Sequence, residues 1–293
     1  MKSGHSLSIG QAAWRRFRRN RLALFGSGAL LILVGVALLA PRLAPCDPYR
    51  PVEDASGAYQ IWAPPSPAHP LGTDALGRDV LSRLIYASRV SLSVGLVSVA
   101  ISVTLGTALG AVAGYAGGVV DNIIMRLTDV VLCFPVLFLV ITVATMLKPS
   151  IFNVMAVIGL VNWTGTARLV RGQFLALREL EFVQAARALG SQAGRIVWRH
   201  LLPNSVAPIT VAATLQLSYA ILTEAALSFL GVGVQQPIAS WGNMLNEAAS
   251  LTVLATKPWL WLAPGVAILL TVLSINFLGD GLRDSLDPRL GRD

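Results

Sequence analysis

Six long apolar stretches constrain this chain more than any other feature of its sequence. Each is about 20 residues long, the length of helix that crosses the hydrocarbon core of a bilayer. Hydrophobic residues make up 54% of the 293 positions and charged residues only 13%, as is typical of multi-spanning membrane proteins. The sequence therefore predicts an all-α membrane protein with six transmembrane helices. The predicted spans are residues 22–40, 90–113, 128–147, 151–169, 206–229 and 259–278.

Local features predict further details of these stretches. Gly106, Gly110 and Gly114 repeat every four residues in the second span, which predicts close packing against a neighbouring helix. Pro135 predicts a kink in the third span, and Asp129, at its start, is expected at the membrane interface. Before the second span, Asp74, Arg78 and Asp79 predict a turn whose polar groups satisfy one another, followed by a short helix along the membrane surface.

Basic residues are concentrated in alternate connections between these stretches. Residues 1–21 are strongly basic, a second group of arginines lies in residues 168–199, and a third lies in the C-terminal tail. Because cytoplasmic loops carry an excess of Lys and Arg, this pattern predicts that both termini are cytoplasmic. Residues 41–89 and 231–258 are then expected on the outer side of the membrane.

Composition and motifs argue against several classes of function. The net charge of +8 does not predict nucleic-acid binding, because the basic residues flank apolar spans. Cys46 is placed outside the membrane and Cys133 inside a span, so we expect no disulfide, and no spacing in the sequence predicts a metal site. No lysine follows a glycine, which excludes a Gly-x4-Gly-Lys phosphate loop. No Gly-x-Ser-x-Gly or His-Glu-x-x-His motif is present, so a membrane enzyme is not predicted.

The longest amphipathic connection, called the connector here, comprises residues 179–204 and includes EFVQAARALGSQAGRIVWRHLLPN. Gly190 predicts a left-handed turn after a short first helix, Ser191 an N-cap for a second helix, and Pro203 the end of that helix. The connector is either a solvated link between two spans or a docking element for another protein. One face of the first helix is predicted from helical spacing: Phe182, Ala185, Ala186 and Leu189.

The connector also resembles the coupling-loop signature of ABC importer permeases, EAA-x3-G-x9-I-x-LP. The alanine pair, Gly190 and the Leu-Pro pair keep that spacing, but Gln184 replaces the glutamate and His200 the isoleucine. Three further stretches are similar to the C-type permease of the peptide/nickel branch. They are HPLGTDALGRDVLSRLIYASRVSL (residues 69–92), EAALSFLGVGVQQPIASWGNML (224–245) and NFLGDGLRDSLDP (276–288).

The resemblance covers nearly the whole chain and implies a type I permease fold in the bacterial inner membrane. Residues 90–293 would form the permease core, with the connector as its coupling loop. The implied partners are a B-type permease, two cytoplasmic ATPases that bind ATP and Mg, an extracytoplasmic solute-binding protein and membrane lipid. The chain itself is expected to hold no cofactor. Its implied ATPase-coupling residues are Phe182, Gln184, Ala185, Ala186, Arg187, Leu189, Gly190, Arg195, Arg199, His200 and Pro203.

Candidate residues for a translocation pathway lie in the fifth predicted span. Gln216, Tyr219 and Thr223 share one helix face and would either line a polar cavity or hold helices together. Glu224 follows them near the outer end of the span. An acid within a membrane is a functional candidate by default, although this position also fits an interfacial or structural role.

The resulting hypothesis is a permease subunit of an ATP-driven importer, with di- or oligopeptides as the expected substrate class. Nickel, glutathione or another small solute is the alternative within the same branch. A proton-coupled carrier that uses Glu224 and Asp129 is an alternative from another class, but it would need internal repeats or interrupted spans with a midplane site.

Overall fold

The computed structural model describes residues 14–286, and helices form nearly all of its regular structure. Predictions for residues 1–13 and 287–293 lie outside the described residues. Within residues 14–286, the β contacts are limited to isolated bridges such as Pro51–Arg78. The helices are α1 (Arg21–Leu38), α2 (Ala40–Leu43), α3 (Val80–Ala116), α4 (Gly118–Leu132), α5 (Val136–Met146), α6 (Ile151–Val161), α7 (Trp163–Leu177), α8 (Glu181–Ala188), α9 (Ala193–Ile196), α10 (Leu202–Phe229), α11 (Trp241–Glu247), α12 (Leu251–Thr256) and α13 (Trp259–Leu286).

Four helices in the described part are long and apolar enough to cross a membrane. They are α1, α3, the continuous helix Ala193–Phe229 that contains α9 and α10, and α13. A fifth crossing results if α4 and α5, which meet at 86°, count as one broken span. The fourth predicted span, residues 151–169, is divided at Asn162 into α6 and α7, each of which has fewer than 18 residues. The count of six spans therefore stays a prediction.

The break between α4 and α5 lies at Pro135, where the sequence predicted a kink. Helix α4 ends at Leu132 and α5 begins at Val136, with Pro135 as the residue before the new helix. Proline has no backbone N–H to donate, and its ring clashes with the carbonyl one turn earlier. The chain therefore turns sharply at this point instead of bending gently.

Helix α3 begins earlier than the sequence predicted. A short surface helix after Asp79 and a separate span at residues 90–113 were expected, but a single helix of 37 residues runs from Val80 to Ala116. Asp79 is its N-cap, with the carboxylate accepting a hydrogen bond from the Ser82 backbone N–H at 2.7 Å. No residue between 80 and 90 supplies a glycine or proline break, so the first turns continue into the span.

Helix α3 is the central helix of the bundle, and it packs against α1, α6, α7 and α10. Its glycines at four-residue spacing face α7. A Cβ atom at Gly106 would lie 2.6 Å from Thr166 Cβ, and one at Gly110 would lie 2.9 Å from Val170 Cβ. These distances confirm that the glycine row serves close helix packing, which is the interpretation that the sequence favoured.

The segment between α2 and α3 and the segment between α10 and α13 meet at one end of the bundle, called the loop end here, which comprises residues 44–79 and 230–258. The Arg78 guanidinium bridges these segments, because it donates hydrogen bonds to Gln236 and Glu247. Helix α10, with its 28 residues, separates the loop end from the connector by about 42 Å along its axis.

We expect replacement of Gly110 by leucine to destabilise the bundle by about 1–3 kcal/mol or more, because the added side chain has no space against α7. Gly165 is the matched control, since a Cβ there would meet no atom within 4 Å. Thermal unfolding of the purified protein measures both variants. Equal midpoints for Gly110→Leu and Gly165→Leu would contradict the close-packing account.

Candidate functional site

The connector folds as two short helices joined by a left-handed turn at Gly190. Helix α8 ends at Ala188, and Gly190 has a φ of +76°. The Ser191 N–H donates to the Ala186 carbonyl at 3.1 Å, which closes the end of the helix. The predicted left-handed turn is confirmed, and a residue with a Cβ would be strained at this position.

Two predictions about the second helix of the connector are wrong. Gln192 is the N-cap residue of α9 instead of Ser191, and it makes no side-chain capping hydrogen bond. Pro203 does not end the helix either. A π turn over Val197–Leu201 connects α9 to α10, and Pro203 lies in the first turn of α10. The π turn already interrupts the regular hydrogen-bond ladder at this point, and proline is tolerated in a first turn.

Two side chains of α8 fix the connector to the bundle. Val183 is fully buried and belongs to an apolar cluster with Phe174 of α7 and Ile196 of α9. Ala186, one turn later, is also buried. Val183 was not among the residues predicted for the connector, although its spacing of three residues from Ala186 was a signal that could have identified it.

The predicted apolar face of α8 is divided by this packing. Ala186 turns inward, whereas Phe182, Ala185 and Leu189 stay exposed. Leu189 is 87% exposed and Phe182 is 42% exposed. An apolar strip therefore remains uncovered beside the side of α8 that is fixed to the bundle.

The connector also carries three exposed cationic side chains. Arg187, Arg195 and Arg199 are exposed and make no ion pair with any residue between 14 and 286. The rings of Phe182 and His200 lie 6.1 Å apart, so the two helical pieces of the connector contact each other. The Gln184 side chain donates a long hydrogen bond of 3.4 Å to the Arg178 carbonyl.

Helix α7, which precedes the connector, is braced by two ion pairs to α4. Arg171 pairs with Asp121, with Nη2 at 2.6 Å from Oδ2, and Arg168 pairs with Asp129 at 2.6 Å. The Asp129 side chain is about half exposed, as the sequence analysis expected for an interfacial residue. Both acids therefore have arginine partners in the structure.

Of the predicted pathway residues, Gln216 and Tyr219 line one small pocket, whereas Thr223 and Glu224 do not line it. Gln216 Nε2 donates to the Asn162 carbonyl at 2.8 Å and to the Ser102 hydroxyl, so it ties α10 to α3 and to the break between α6 and α7. The Thr223 hydroxyl donates to the Tyr219 carbonyl in its own helix. Tyr219 is 45% exposed on the bundle surface. Gln216 therefore behaves as the helix–helix hypothesis expects, and the pathway role of these residues stays a prediction.

Glu224 lies in the interior of the bundle, near the end of α10, and its depth relative to the membrane interface stays a prediction. Its side chain is fully buried, and the carboxylate accepts hydrogen bonds from Ser91 at 2.9 Å and Ser228 at 2.8 Å. The Ser91 hydroxyl oxygen also accepts from the Trp241 N–H at 3.2 Å. Glu224 thus joins α3, α10 and the start of α11. These contacts support a structural role for Glu224, which was one of the two roles expected for it.

A buried ion cluster of Asp74, Arg78, Arg83 and Glu247 holds the loop end together. Arg78 Nε lies 2.7 Å from Asp74 Oδ2, while Glu247 Oε1 accepts from Arg78 Nη2 at 3.0 Å and from Arg83 Nη2 at 2.8 Å. Burial raises the pKa of the Glu247 carboxyl, and the Arg83 guanidinium opposes that rise. The sequence predicted a self-satisfied turn around Asp74 and Arg78, but it gave no sign of the distant partner Glu247.

We expect replacement of Glu247 by alanine to destabilise the protein by about 3–5 kcal/mol, because two buried guanidinium groups lose their shared acceptor. Glu179→Ala is the control. Its carboxylate pairs with Arg178 on the surface and is 66% exposed, so its loss should cost less than about 1 kcal/mol. Thermal unfolding of the purified variants measures the difference, and a wild-type midpoint for Glu247→Ala would refute a stabilising cluster.

Comparison with known proteins gives a consistent family. The family model for binding-protein-dependent transport system inner membrane components matches residues 106–292, and the model for the N-terminal transmembrane domain of oligopeptide transport permease C matches residues 8–65. A methionine ABC transporter, MetNI, solved in inward-facing conformations, matches with a TM-score of 0.55 at 19% identity. That match covers 71% of this chain and 97% of the MetNI chain, and it shows a shared fold.

Two curated relatives are similar over almost the full chain. The dipeptide transport system permease protein DppC of Bacillus subtilis is 41% identical over 287 residues, which cover 98% of this chain and 88% of that protein. The glutathione transport system permease protein GsiD of Pectobacterium atrosepticum is 42% identical over 277 residues, which cover 94% and 90%. The chain therefore belongs to the binding-protein-dependent transport system inner membrane components, as an ABC permease of the peptide/nickel branch.

Proposed function

We propose that this permease imports di- or oligopeptides with energy from separate ATPase subunits, and that the connector is the surface on which an ATPase docks. The observation that carries the proposal is the uncovered apolar strip of Phe182, Ala185 and Leu189, which lies beside the side of α8 that packs on the bundle. An exposed apolar strip on a connector that also presents three exposed arginines fits a protein partner with an apolar groove and acidic side chains.

The anchoring of the connector supports transmission of force into the membrane helices. Val183 packs against Phe174 of α7, and α9 continues through the π turn into α10. Displacement of α8 by a partner would therefore act on two spanning elements at once. ATP and Mg would bind to the partner, and the movement would reach this chain as a rigid-body shift.

The proposed orientation follows from this docking role. The connector would face the cytoplasm, together with both termini, and the loop end would face the solute-binding protein outside. Six crossings result if α4 with α5 and α6 with α7 each count as one broken span. A B-type permease would supply the other half of the translocation pathway, and lipid would cover the remaining apolar surface.

Relatives support the peptide class. One is a dipeptide permease and another a glutathione permease, and glutathione is itself a small peptide. Nickel or another small solute is the alternative within the branch. The proton-coupled carrier has no comparable support, because Asp129 is paired with Arg168 and the Glu224 carboxylate is occupied by serine hydroxyls.

We expect Leu189→Glu to abolish co-purification of the ATPase subunits and ATP-dependent peptide uptake in proteoliposomes, because a carboxylate would enter the apolar contact. The unfolding midpoint should stay unchanged, since Leu189 is 87% exposed. Leu251→Glu is the matched control, because Leu251 is 85% exposed at the loop end. Wild-type ATPase association of a folded Leu189→Glu variant would overturn the docking proposal.

A further inference from the structure

We propose that Cys46, His69 and Asp79 form a zinc site at the loop end. Each residue offers one ligand atom, and these three atoms all lie within 4.8 Å of one another. Asp79 is fully buried, His69 is 6% exposed, and Cys46 is partly exposed. The site is separate from the connector and does not depend on the proposed transport function.

The three side chains are held in place by hydrogen bonds around them. His69 Nδ1 lies 2.9 Å from Asp79 Oδ1, while the other carboxylate oxygen of Asp79 accepts from the Ser82 hydroxyl at 2.7 Å. The Ser82 hydroxyl oxygen accepts from the Cys46 N–H at 3.0 Å. Ser82 therefore links the cysteine backbone to the aspartate carboxylate, as outer partners commonly orient metal ligands.

The turn that carries His69 is also well fixed. The Ser66 N–H and the Gly72 N–H both donate to the His69 carbonyl, and the His69 N–H donates to the Ser66 hydroxyl. The imidazole is consequently directed at the N-cap of α3 by a closed loop. An ion could therefore bind without a long flexible segment first becoming ordered.

The chemistry of the donor set selects Zn²⁺. Thiolate, imidazole and carboxylate are all zinc ligands, and three protein ligands leave one position for water. Ligand atoms around a tetrahedral zinc ion lie roughly 3.3–3.8 Å apart. His69 Nδ1 and Asp79 Oδ1, at 2.9 Å, would therefore separate slightly, while separations of up to 4.8 Å elsewhere in the cluster would shorten. The ion would displace the thiol proton of Cys46 and bind a neutral imidazole.

Zinc would connect parts of the chain that are separated in sequence. Cys46 follows α1 and α2, His69 lies within residues 44–79 of the loop end, and Asp79 is the N-cap of α3. A bound ion would fix residues 46–79 as a closed loop on the start of the central helix. The competing hypothesis is that His69 and Asp79 form only a hydrogen bond and that the Cys46 thiol binds no metal.

Metal binding to the transporter, purified with its accompanying subunits, tests the proposal. Co²⁺ titration should produce thiolate-to-cobalt charge-transfer absorption in the wild-type protein and in Cys133→Ser, but not in Cys46→Ser. Cys133 is the matched control, because it is exposed at the break between α4 and α5 and does not belong to the cluster. After dialysis against Zn²⁺, the Cys46→Ser variant should hold one zinc ion fewer per permease chain than the Cys133→Ser variant. Equal zinc contents with no cobalt absorption would overturn the site.

Thiol protection provides a second measurement that does not depend on the other subunits. In the Cys133→Ser background, Cys46 is the remaining cysteine, and Zn²⁺ at about ten times its dissociation constant should slow alkylation of Cys46 by about tenfold. His69→Gln keeps a hydrogen-bond donor toward Asp79 but lacks the imidazole, so we expect protection to disappear. Alkylation rates that are the same with and without Zn²⁺, or protection that persists in His69→Gln, would refute the proposal.

Discussion

Close backbone contact between α3 and α7 is the packing constraint on which the remaining helices depend. Gly106 and Gly110 allow the two helices to approach until a Cβ atom would have no space. Helix α3 then presents its other sides to α1, α6 and α10. Because van der Waals packing and interhelical hydrogen bonds hold helices together in lipid, this contact and the hydrogen bonds of Gln216 determine how the bundle is assembled.

The sequence predicted features that depend on local chemistry. The apolar runs, the proline break before α5, the glycine row and the left-handed turn at Gly190 all follow from residue type and spacing. The pairing of Glu247 with Arg78 and Arg83 could not be predicted, because these residues are more than 160 positions apart and no local pattern relates them. The same limit explains why the complete burial of Glu224 was missed.

The connector shows the same limit at the candidate site. Helical spacing grouped Phe182, Ala185, Ala186 and Leu189 on one face, but it could not show that Ala186 turns toward the bundle while the other three stay exposed. The direction of α8 is decided by Val183, whose partners Phe174 and Ile196 come from different helices. A helical wheel drawn for one helix alone does not show which side of that helix a neighbouring helix covers.

The π turn at Val197–Leu201 also changes how positions along the long helix Ala193–Phe229 relate to one another. A π turn contains one residue more than an α turn, which offsets the phase of the helix by about 100°. Residues of α9 and residues of α10 that share a face on a regular helical wheel therefore point in different directions. Removal of one residue within the turn would rotate the connector about the axis of α10. The residues on the connector surface and on the surface of α10 would stay nearly the same, but the two surfaces would no longer be aligned.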